Sequence, residues 1–347
     1  MRAMLVRDIG EFSLIERLAE SIKGDGDRLF QRIGQSGYRL LFSIGDDAAA
    51  WESPSGTSVF TTDTMVEGVH FNLDNTGWHD LGWKALAVNL SDIAAMGCEP
   101  TYSLVTLGLR GDLPVDGLLE MYGGLMEVSE RCGGAVVGGD IVRSPVFFVT
   151  VALLGRAPEA EPEGASPILR RDAASPGDQV AVTGHIGCSA GGLRMMLEDL
   201  EFDDAVAGHH RNAHNRPLPR MREGTLLVAN GVRCAMDVSD GLVDDLGKIC
   251  RAGGVGAVIH ADQVPADDFL RRAYPVDWLD MALGGGEDYE LLFTAPPDVM
   301  SRVTQLLETP VAIFGQIVSG DDDVLVLDGR GERVAVRSGG WDHFRAT

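Results

Sequence analysis

The acidic residues of this chain lie in short segments rich in glycine, serine or threonine that are far apart in the sequence. Such small residues allow backbone to approach a ligand closely, and carboxylate oxygens are ligands that Mg²⁺ prefers. Any fold of the chain is therefore expected to gather these segments around metal ions and phosphates. The segments are GDDAA (Asp46, Asp47), TTDTMVEGVHF (Asp63), NLSDIAAMG (Asp92), GGDIV (Asp140), DVSDGL (Asp237, Asp240) and GGGEDYELLF (Glu287, Asp288).

The overall charge agrees with this expectation. The 347 residues have a formal net charge of −23. A chain this acidic is unsuited to nucleic acid or to an anionic membrane surface, because both are themselves negative. It also repels phosphorylated small molecules, so binding of a nucleotide by these carboxylates requires a divalent cation between them.

The cysteines and the apolar segments predict a cytoplasmic protein. The five cysteines are widely spaced and form no CxxC motif, which indicates neither a disulfide framework nor a zinc site. The first residues lack the continuous apolar core of a signal peptide. The longest apolar run, at 146–155, is too short to span a bilayer.

Hydrophobic periodicity predicts alternating helices and strands, and therefore an α/β or α+β protein with two lobes. A segment rich in proline, alanine and glutamate at 155–177 is the best candidate for a boundary between domains 1–155 and 156–347. Residues 209–222 are expected to form a polar loop. The expected helices cover 12–22, 79–96, 115–132, part of 184–200 and 240–251, and the expected strands cover 59–62, 135–137, 146–154, 179–183, 234–238, 289–294 and 311–317.

The first acidic segments each allow a metal-binding and a structural interpretation. Asp46 and Asp47 follow a glycine, and Gly-Asp-Asp is also common in turns. Asp63 is expected at the end of a strand, where Thr61 and Thr62 offer further oxygen ligands for Mg²⁺. The alternative for this segment is a polar turn at a strand end.

The later acids also have alternatives. Asp92 lies in an apolar helix, where an unpaired carboxylate is costly, so a metal partner is favoured. Asp140 is expected just beyond a strand, where open α/β sheets bind ligands. Ser239 and Asp240 are good N-cap residues, and capping alone could explain them. Asp237 is expected within a strand and is harder to explain in that way.

Two further features are ambiguous. His70, in EGVHF, is as consistent with a buried core histidine as with a substrate contact. The glycine-rich segment at 183–192 precedes an expected helix and could bind phosphate through backbone N–H groups. It lacks the Gly-Lys-Ser/Thr ending of a Walker loop, so a packed turn is at least as good an explanation.

Taken in order along nearly the full length, these motifs resemble the bacterial thiamine-monophosphate kinases of the aminoimidazole-ribonucleotide-synthetase superfamily. Besides the acidic segments, the resemblance rests on GEFSLIERL, PGDQVAVTGHIG and the terminal GGWDHF. It implies that ATP and thiamine monophosphate give ADP and thiamine diphosphate with the help of several Mg²⁺ ions and no general base. It also implies an N-terminal ATP- and metal-binding lobe whose strands pair across a homodimer, and a C-terminal α/β lobe that completes the substrate site.

The resemblance assigns roles to individual residues of this chain. The implied metal ligands are Asp47, Thr61, Thr62, Asp63, Asp92, Asp140, Asp237 and Asp240, with Asp46 beside them. The implied ATP contacts are Gly139, Asp140, Arg171 and Ser239, and the implied contacts to thiamine monophosphate are His70, Glu287 and Trp341.

Two other functions remain open at this point. One is another ATP-dependent synthetase of the same superfamily. A selenophosphate synthetase is disfavoured because its reactive cysteine is expected early, whereas the first cysteine here is Cys98. A purine-pathway synthetase does not account for EGVHF and GGGEDYELLF. The other possibility is a regulator that binds Mg²⁺ and nucleotide without turnover.

Overall fold

A computed structural model describes residues 4–44, 48–159, 167–320 and 323–336. Contacts between Cα atoms divide the chain into two compact units, one of Met1–Ile93 with Glu99–Ser166 and one of Ala94–Cys98 with Pro167–Thr347. The predicted mixed α/β class is confirmed, whereas the roles assigned to domains 1–155 and 156–347 stay predictions. In the described ranges, no helix combines the length and the apolar character that crossing a membrane requires.

In its described residues, the first unit contains a four-stranded sheet, a two-stranded sheet formed by its first two strands, and three helices. Its described elements are α1 (Val6–Gly34), β1 (Arg39–Phe42), β2 (Ala50–Glu52), β3 (Ser58–Val66), α2 (Trp78–Ala95), β4 (Glu99–Leu109), α3 (Val115–Cys132), β5 (Ala135–Arg143) and β6 (Phe148–Arg156). The last two residues of α2 belong to the second unit.

The four-stranded sheet has the order β3-β6-β4-β5, and only β4 and β5 are parallel. Side chains alternate across a strand, so residues paired directly across neighbouring strands point to the same face of the sheet. Val105, Val149 and Val151 lie on the inner face and are almost completely buried. Phe60 and Leu104 lie on the opposite, outer face and are 67% and 42% exposed. The sheet therefore has one packed and one open side.

The second unit is a six-stranded sheet with helices on both faces. The strand order is β12-β9-β11-β7-β10-β8, antiparallel except for the parallel pair of β9 and β12. Val180 and Val182 pack on one side with α7, while Ala181 packs on the other with α6 and α10. The elements are β7 (Gln179–Thr183), α4 (Cys188–Leu197), α5 (Asp204–Asn215), α6 (Met221–Ala229), β8 (Cys234–Asp237), α7 (Leu242–Gly253), β9 (Gly256–His260), α8 (Asp268–Ala273), α9 (Trp278–Gly284), β10 (Leu291–Ala295), α10 (Pro297–Leu306), β11 (Val311–Val318) and β12 (Val324–Leu327).

Three expectations about local structure are wrong. Strand β3 continues beyond Asp63 to Val66 because its ladder with β6 is unbroken. Strand β5 runs through Gly139 and Asp140 to Arg143, paired with β4, so these two residues lie inside a strand rather than at its end. Of the expected polar loop at 209–222, residues 209–215 are the second half of α5 and 221–222 begin α6, so only 216–220 connect two elements.

Candidate functional site

In the first unit, the structure brings Asp63 and Asp92 together. Helix α2 lies against the inner face of β3, and Thr61 donates its hydroxyl hydrogen to Asp92 Oδ2 at 2.5 Å. The fully buried Asn89 accepts the backbone N–H of Asp63 at 3.1 Å and donates to the carbonyl of Ala85 at 3.1 Å. One face of α2 thus holds one edge of the sheet through polar groups.

The two carboxylates are electrostatically coupled. Burial and the neighbouring Asp92 carboxylate raise the pKa of Asp63 from 3.8 to about 6. Asp63 therefore loses its proton only above about pH 6, and two adjacent carboxylates in a half-buried site repel each other when both are ionised. A donor set of two carboxylates and the Thr61 hydroxyl fits a hard divalent cation, which would remove this repulsion.

Other predicted ligands of the first unit lie elsewhere on the sheet. Asp140 is exposed on β5, in the row that faces the outer side, whereas Asp63 faces the inner side from β3 at the other edge. Thr62 also faces outward and donates to the carbonyl of Val151 at 3.0 Å. Within one copy of the chain, Asp140 and Thr62 are therefore not part of the Asp63–Asp92 pair.

Gly139 has a structural reason to be glycine. It faces inward, and a Cβ atom at this position would overlap the carbonyl oxygen of Val105 on β4. Any nucleotide contact that Gly139 makes is additional to this packing requirement.

His70 lies in the turn after β3 and is half-buried. Its Nδ1 accepts the backbone N–H of Val66 at 3.1 Å, so in the neutral ring the proton is on Nε2. The ring is partly exposed but hydrogen-bonded to the backbone. This geometry is compatible both with a structural histidine and with a substrate contact.

In the second unit, Asp245 organises the turn before α7. Its Oδ2 accepts the backbone N–H groups of Ser239, Asp240 and Gly241 at 2.9, 3.0 and 3.3 Å. The N-cap of α7 is Gly241, and Ser239 and Asp240 precede it. Neither of these two side chains caps α7, and Asp245 inside the helix instead holds the turn that precedes it.

A lysine contacts the three acids at this turn, Asp240, Asp244 and Asp245. The ammonium of Lys248 contacts Asp240, lies 2.7 Å from Asp245 and lies 3.1 Å from Asp244. These ion pairs outweigh burial and raise the pKa of Lys248, whereas burial raises the pKa of Asp245 despite Lys248. The oxygens of the three acids lie within 4.8 Å of one another, so Lys248 occupies a position that a cation could take. Asp237, at the end of β8, is 3% exposed.

The segment before β10 contacts the same turn. The backbone N–H of Glu287 donates to the carbonyl of Ser239 at 2.8 Å, and that of Tyr289 donates to Val238 at 2.9 Å. Glu287 and Tyr289 have left-handed φ angles of 64° and 53°, which are uncommon outside glycine. Gly286 fits here because a Cβ would overlap Ser239. The structure thus joins a predicted ATP residue, Ser239, to a predicted substrate residue, Glu287.

The glycine-rich segment at 183–192 is a packed turn. The carboxylate of Asp288 accepts the N–H groups of Gly187 and Ser189 at 2.6 and 3.1 Å, at the N-terminus of α4. Burial raises the pKa of Asp288 to about 7, although these N–H groups oppose the shift. A carboxylate of the protein already occupies the place where a phosphate would bind.

A second group with metal-binding atoms already makes contacts within the fold. Atoms of Cys188, His209 and Asp267 lie within 4.8 Å of one another. Asp267 caps α8 by accepting the N–H of Leu270 at 2.8 Å and lies 2.6 Å from His209. Burial raises the pKa of the Cys188 thiol, which keeps it protonated.

The remaining predicted residues make few contacts that bear on function. Arg171 is exposed in a short 3₁₀ turn, Arg171–Ala173, and its carbonyl accepts the thiol of Cys234 at 3.6 Å. Asp46, Asp47 and Trp341 lie outside the described residues. The sequence analysis did not identify Asp245, Lys248 and His214. Charged and polar side chains within a helix look like ordinary surface residues in a sequence pattern.

Known proteins match the chain along nearly its full length. Residues 45–157 match the family described as AIR synthase related protein, N-terminal domain, and residues 175–328 match its C-terminal domain. The thiamine-monophosphate kinase of Escherichia coli K12 is 37% identical over 343 residues, which are 96% of this chain and 98% of that relative. This chain belongs to the thiamine-monophosphate kinase family. The resemblance inferred from the motifs is confirmed.

Solved structures of the thiamine-monophosphate kinase family have the same fold. The enzyme of Stenotrophomonas maltophilia K279a is 35% identical, with a TM-score of 0.77 over 89% of this chain and 96% of that one. AaThiL, complexed with AMPPCP and TMP, is 30% identical, with a TM-score of 0.74 over 99% of this chain and all of the other. The hydrogenase maturation protein HypE, at 19% identity and a TM-score of 0.73, shares the fold.

Proposed function

We propose that this chain transfers the terminal phosphoryl group of ATP to thiamine monophosphate, which gives thiamine diphosphate and ADP. The observation that carries the proposal is the 37% sequence identity to thiamine-monophosphate kinases over 96% of this chain. The structure of one member of the family is solved with AMPPCP and TMP. The paired carboxylates of Asp63 and Asp92 supply the chemistry that such a reaction needs.

We propose Mg²⁺ as the metal of this reaction. Thr61, Asp63 and Asp92 would hold one ion, and the other proposed ligands are Asp46, Asp47, Thr62, Asp140, Asp237 and Asp240. When bound, Mg²⁺ neutralises phosphate charge, which matters because two unit charges 4 Å apart repel by about 4 kcal/mol at an effective dielectric of about 20. The oxygens of this chain are well suited to hold it because their own repulsion is relieved at the same time.

The other residues of the site bind and orient the substrates. The acceptor phosphate of thiamine monophosphate is already anionic, so the protein has no proton to remove and catalysis consists of alignment and charge stabilisation. We assign Gly139, Asp140, Arg171 and Ser239 to ATP. We assign His70, Glu287 and Trp341 to thiamine monophosphate, where a carboxylate suits the cationic thiazolium and an indole offers it a π-face.

We propose that the enzyme is a homodimer assembled through the outer face of the four-stranded sheet. Phe60, Leu104 and Val142 are 67%, 42% and 41% exposed on this face, and an open apolar sheet face of this kind indicates an interface. Multi-angle light scattering should give twice the 37.1 kDa chain mass for wild type and the chain mass for Phe60→Asp. Phe12→Asp, at an 80% exposed position on α1, should remain a dimer. A Phe60→Asp dimer would contradict this assembly.

We also propose that the enzyme works in the cytoplasm, where ATP is available. All five cysteines are free thiols, as is usual in a reducing compartment.

One coupled assay separates the proposed function from its alternatives. ADP release is followed with ATP and Mg²⁺, with and without thiamine monophosphate, and the product is identified by chromatography. Release that requires thiamine monophosphate, yields thiamine diphosphate and stops in EDTA supports the kinase. ATP hydrolysis at a rate that does not depend on thiamine monophosphate would favour another synthetase of the superfamily. Nucleotide binding without turnover would favour a regulator.

A further inference from the structure

His214 connects α5 to the Glu287 segment, which comprises residues 286–289 before β10. The side chain is buried, with 5% of the residue exposed. Its Nδ1 is hydrogen-bonded to the hydroxyl of the fully buried Ser189 at 3.0 Å and lies 3.5 Å from Glu287 Oε2. One ring nitrogen therefore faces two oxygens from two different segments.

The backbone of the Glu287 segment is held independently of His214. Glu287 donates its N–H to Ser239, and the carboxylate of the next residue, Asp288, accepts the N–H groups of Gly187 and Ser189. These bonds hold the Cα atom of Glu287, which has a left-handed φ angle. They leave the direction of its carboxylate to side-chain contacts, and Glu287 is half-buried rather than packed on every side.

We propose that His214 is a positioning residue that orients the Glu287 carboxylate toward the cationic ring system of thiamine monophosphate. The inference rests on the proposed function. With its proton on Nδ1, the imidazole donates toward both Ser189 Oγ and Glu287 Oε2, and Ser189 keeps the ring in place. A carboxylate held in this way loses little side-chain freedom when the substrate binds, and such preorganisation strengthens binding.

The chemistry selects the variants. Asparagine can place an amide N–H near the position of Nδ1, whereas leucine fills similar space without a donor. His214→Leu should raise the KM for thiamine monophosphate about tenfold, the effect of losing one charge-assisted hydrogen bond of about 1.4 kcal/mol. The KM for ATP should change less than about twofold, and His214→Asn should recover most of the loss.

His210 provides a matched control on the same helix. It is completely buried one turn earlier, and its Nδ1 lies 3.3 Å from the carbonyl of Cys188 rather than near Glu287. His210→Leu should lower the melting temperature but leave the KM for thiamine monophosphate within about twofold of wild type. A role limited to the stability of α5 predicts instead that both leucine variants raise this KM equally.

Three results would overturn the inference. They are an unchanged KM for thiamine monophosphate in His214→Leu, an equal rise in His210→Leu, and a failure of His214→Asn to recover. If wild type shows no turnover, the proposed function fails, and calorimetric titration with thiamine monophosphate then makes the same comparison of variants. A wild type that does not bind thiamine monophosphate contradicts both proposals.

Discussion

Replacement of Asp63 by asparagine should stabilise the metal-free protein near neutral pH. A carboxyl whose pKa rises from 3.8 to about 6 on folding binds its proton more tightly in the folded state than in the unfolded chain. The stability that it contributes is present at low pH and is lost as the pH rises from about 4 to about 6. At 1.36 kcal/mol for each pKa unit, ionised Asp63 destabilises the fold by up to about 3 kcal/mol.

The assay is a set of thermal melts in EDTA at about pH 5 and about pH 7.5. Asp63→Asn removes both the buried charge and its repulsion with Asp92, so its melting temperature should exceed that of wild type at the higher pH. The gain should be several degrees, since about 1 kcal/mol corresponds to roughly 2–4 °C in a unit of this size. At about pH 5 the difference should shrink, because wild-type Asp63 is then largely protonated. Asp74→Asn, at an exposed site in the same unit, should change neither melt.

The same variant tests the metal role. Mg²⁺ with a non-hydrolysable ATP analogue should stabilise wild type by mass action and stabilise Asp63→Asn much less. Asp92→Asn should likewise melt no lower than wild type in EDTA and lose at least about a hundredfold in activity, or several kcal/mol of transition-state stabilisation. If either variant melts well below wild type in EDTA and keeps the full ligand-induced shift, the pair is structural and the reasoning is refuted.

Three further variants test other parts of the site. Trp341→Ala should weaken thiamine monophosphate binding more than ATP binding in separate calorimetric titrations, and the opposite order would reverse its assignment. Arg220→Met should lower stability by about 3–5 kcal/mol because it leaves the buried Glu290 without its cationic partner. In the same denaturation series Arg222→Met, which breaks an exposed pair, should change stability little, and equal losses would contradict the burial argument. Lys248→Met should lower the melting temperature in EDTA and enlarge the increase caused by Mg²⁺, whereas an unchanged increase would mean that no solution cation replaces the ammonium.

The sequence predicts best those elements whose pattern is local. Helix α3 and strand β7 have their expected bounds because apolar periodicity and flanking glycines are both visible in the sequence. Strand β5 was expected to end before Gly138, since glycines disfavour strands. The ladder with β4 carries it through these residues, and such pairing between distant segments cannot be seen in a local pattern.

The histidines of α5 show why the polar loop prediction failed over residues 209–215. His210 and His214 are buried, and His214 meets Ser189, but a sequence pattern counts both residues as polar. The helix is formed because its buried face packs on α4 and α8, a tertiary contact that outweighs composition. For the same reason, the pattern identified the carboxylates of the site but not Asp245, Lys248 and His214, which hold them.

A raised pKa by itself does not mark a residue of the site. The pKa of Asp288 rises to about 7 and that of Asp63 to about 6, so pKa alone would rank Asp288 first. Their neighbours decide the matter. Asp288 accepts two backbone N–H groups at the start of α4, and its carboxylate therefore has partners that belong to the fold. The neighbour that further raises the pKa of Asp63 is another carboxylate, and the fold keeps the two together although their charges repel. Glu290 and Glu287 also raise the pKa of Asp288, but its two N–H partners oppose that shift, whereas burial and Asp92 act together on Asp63. Metal binding is therefore expected at Asp63 and helix capping at Asp288.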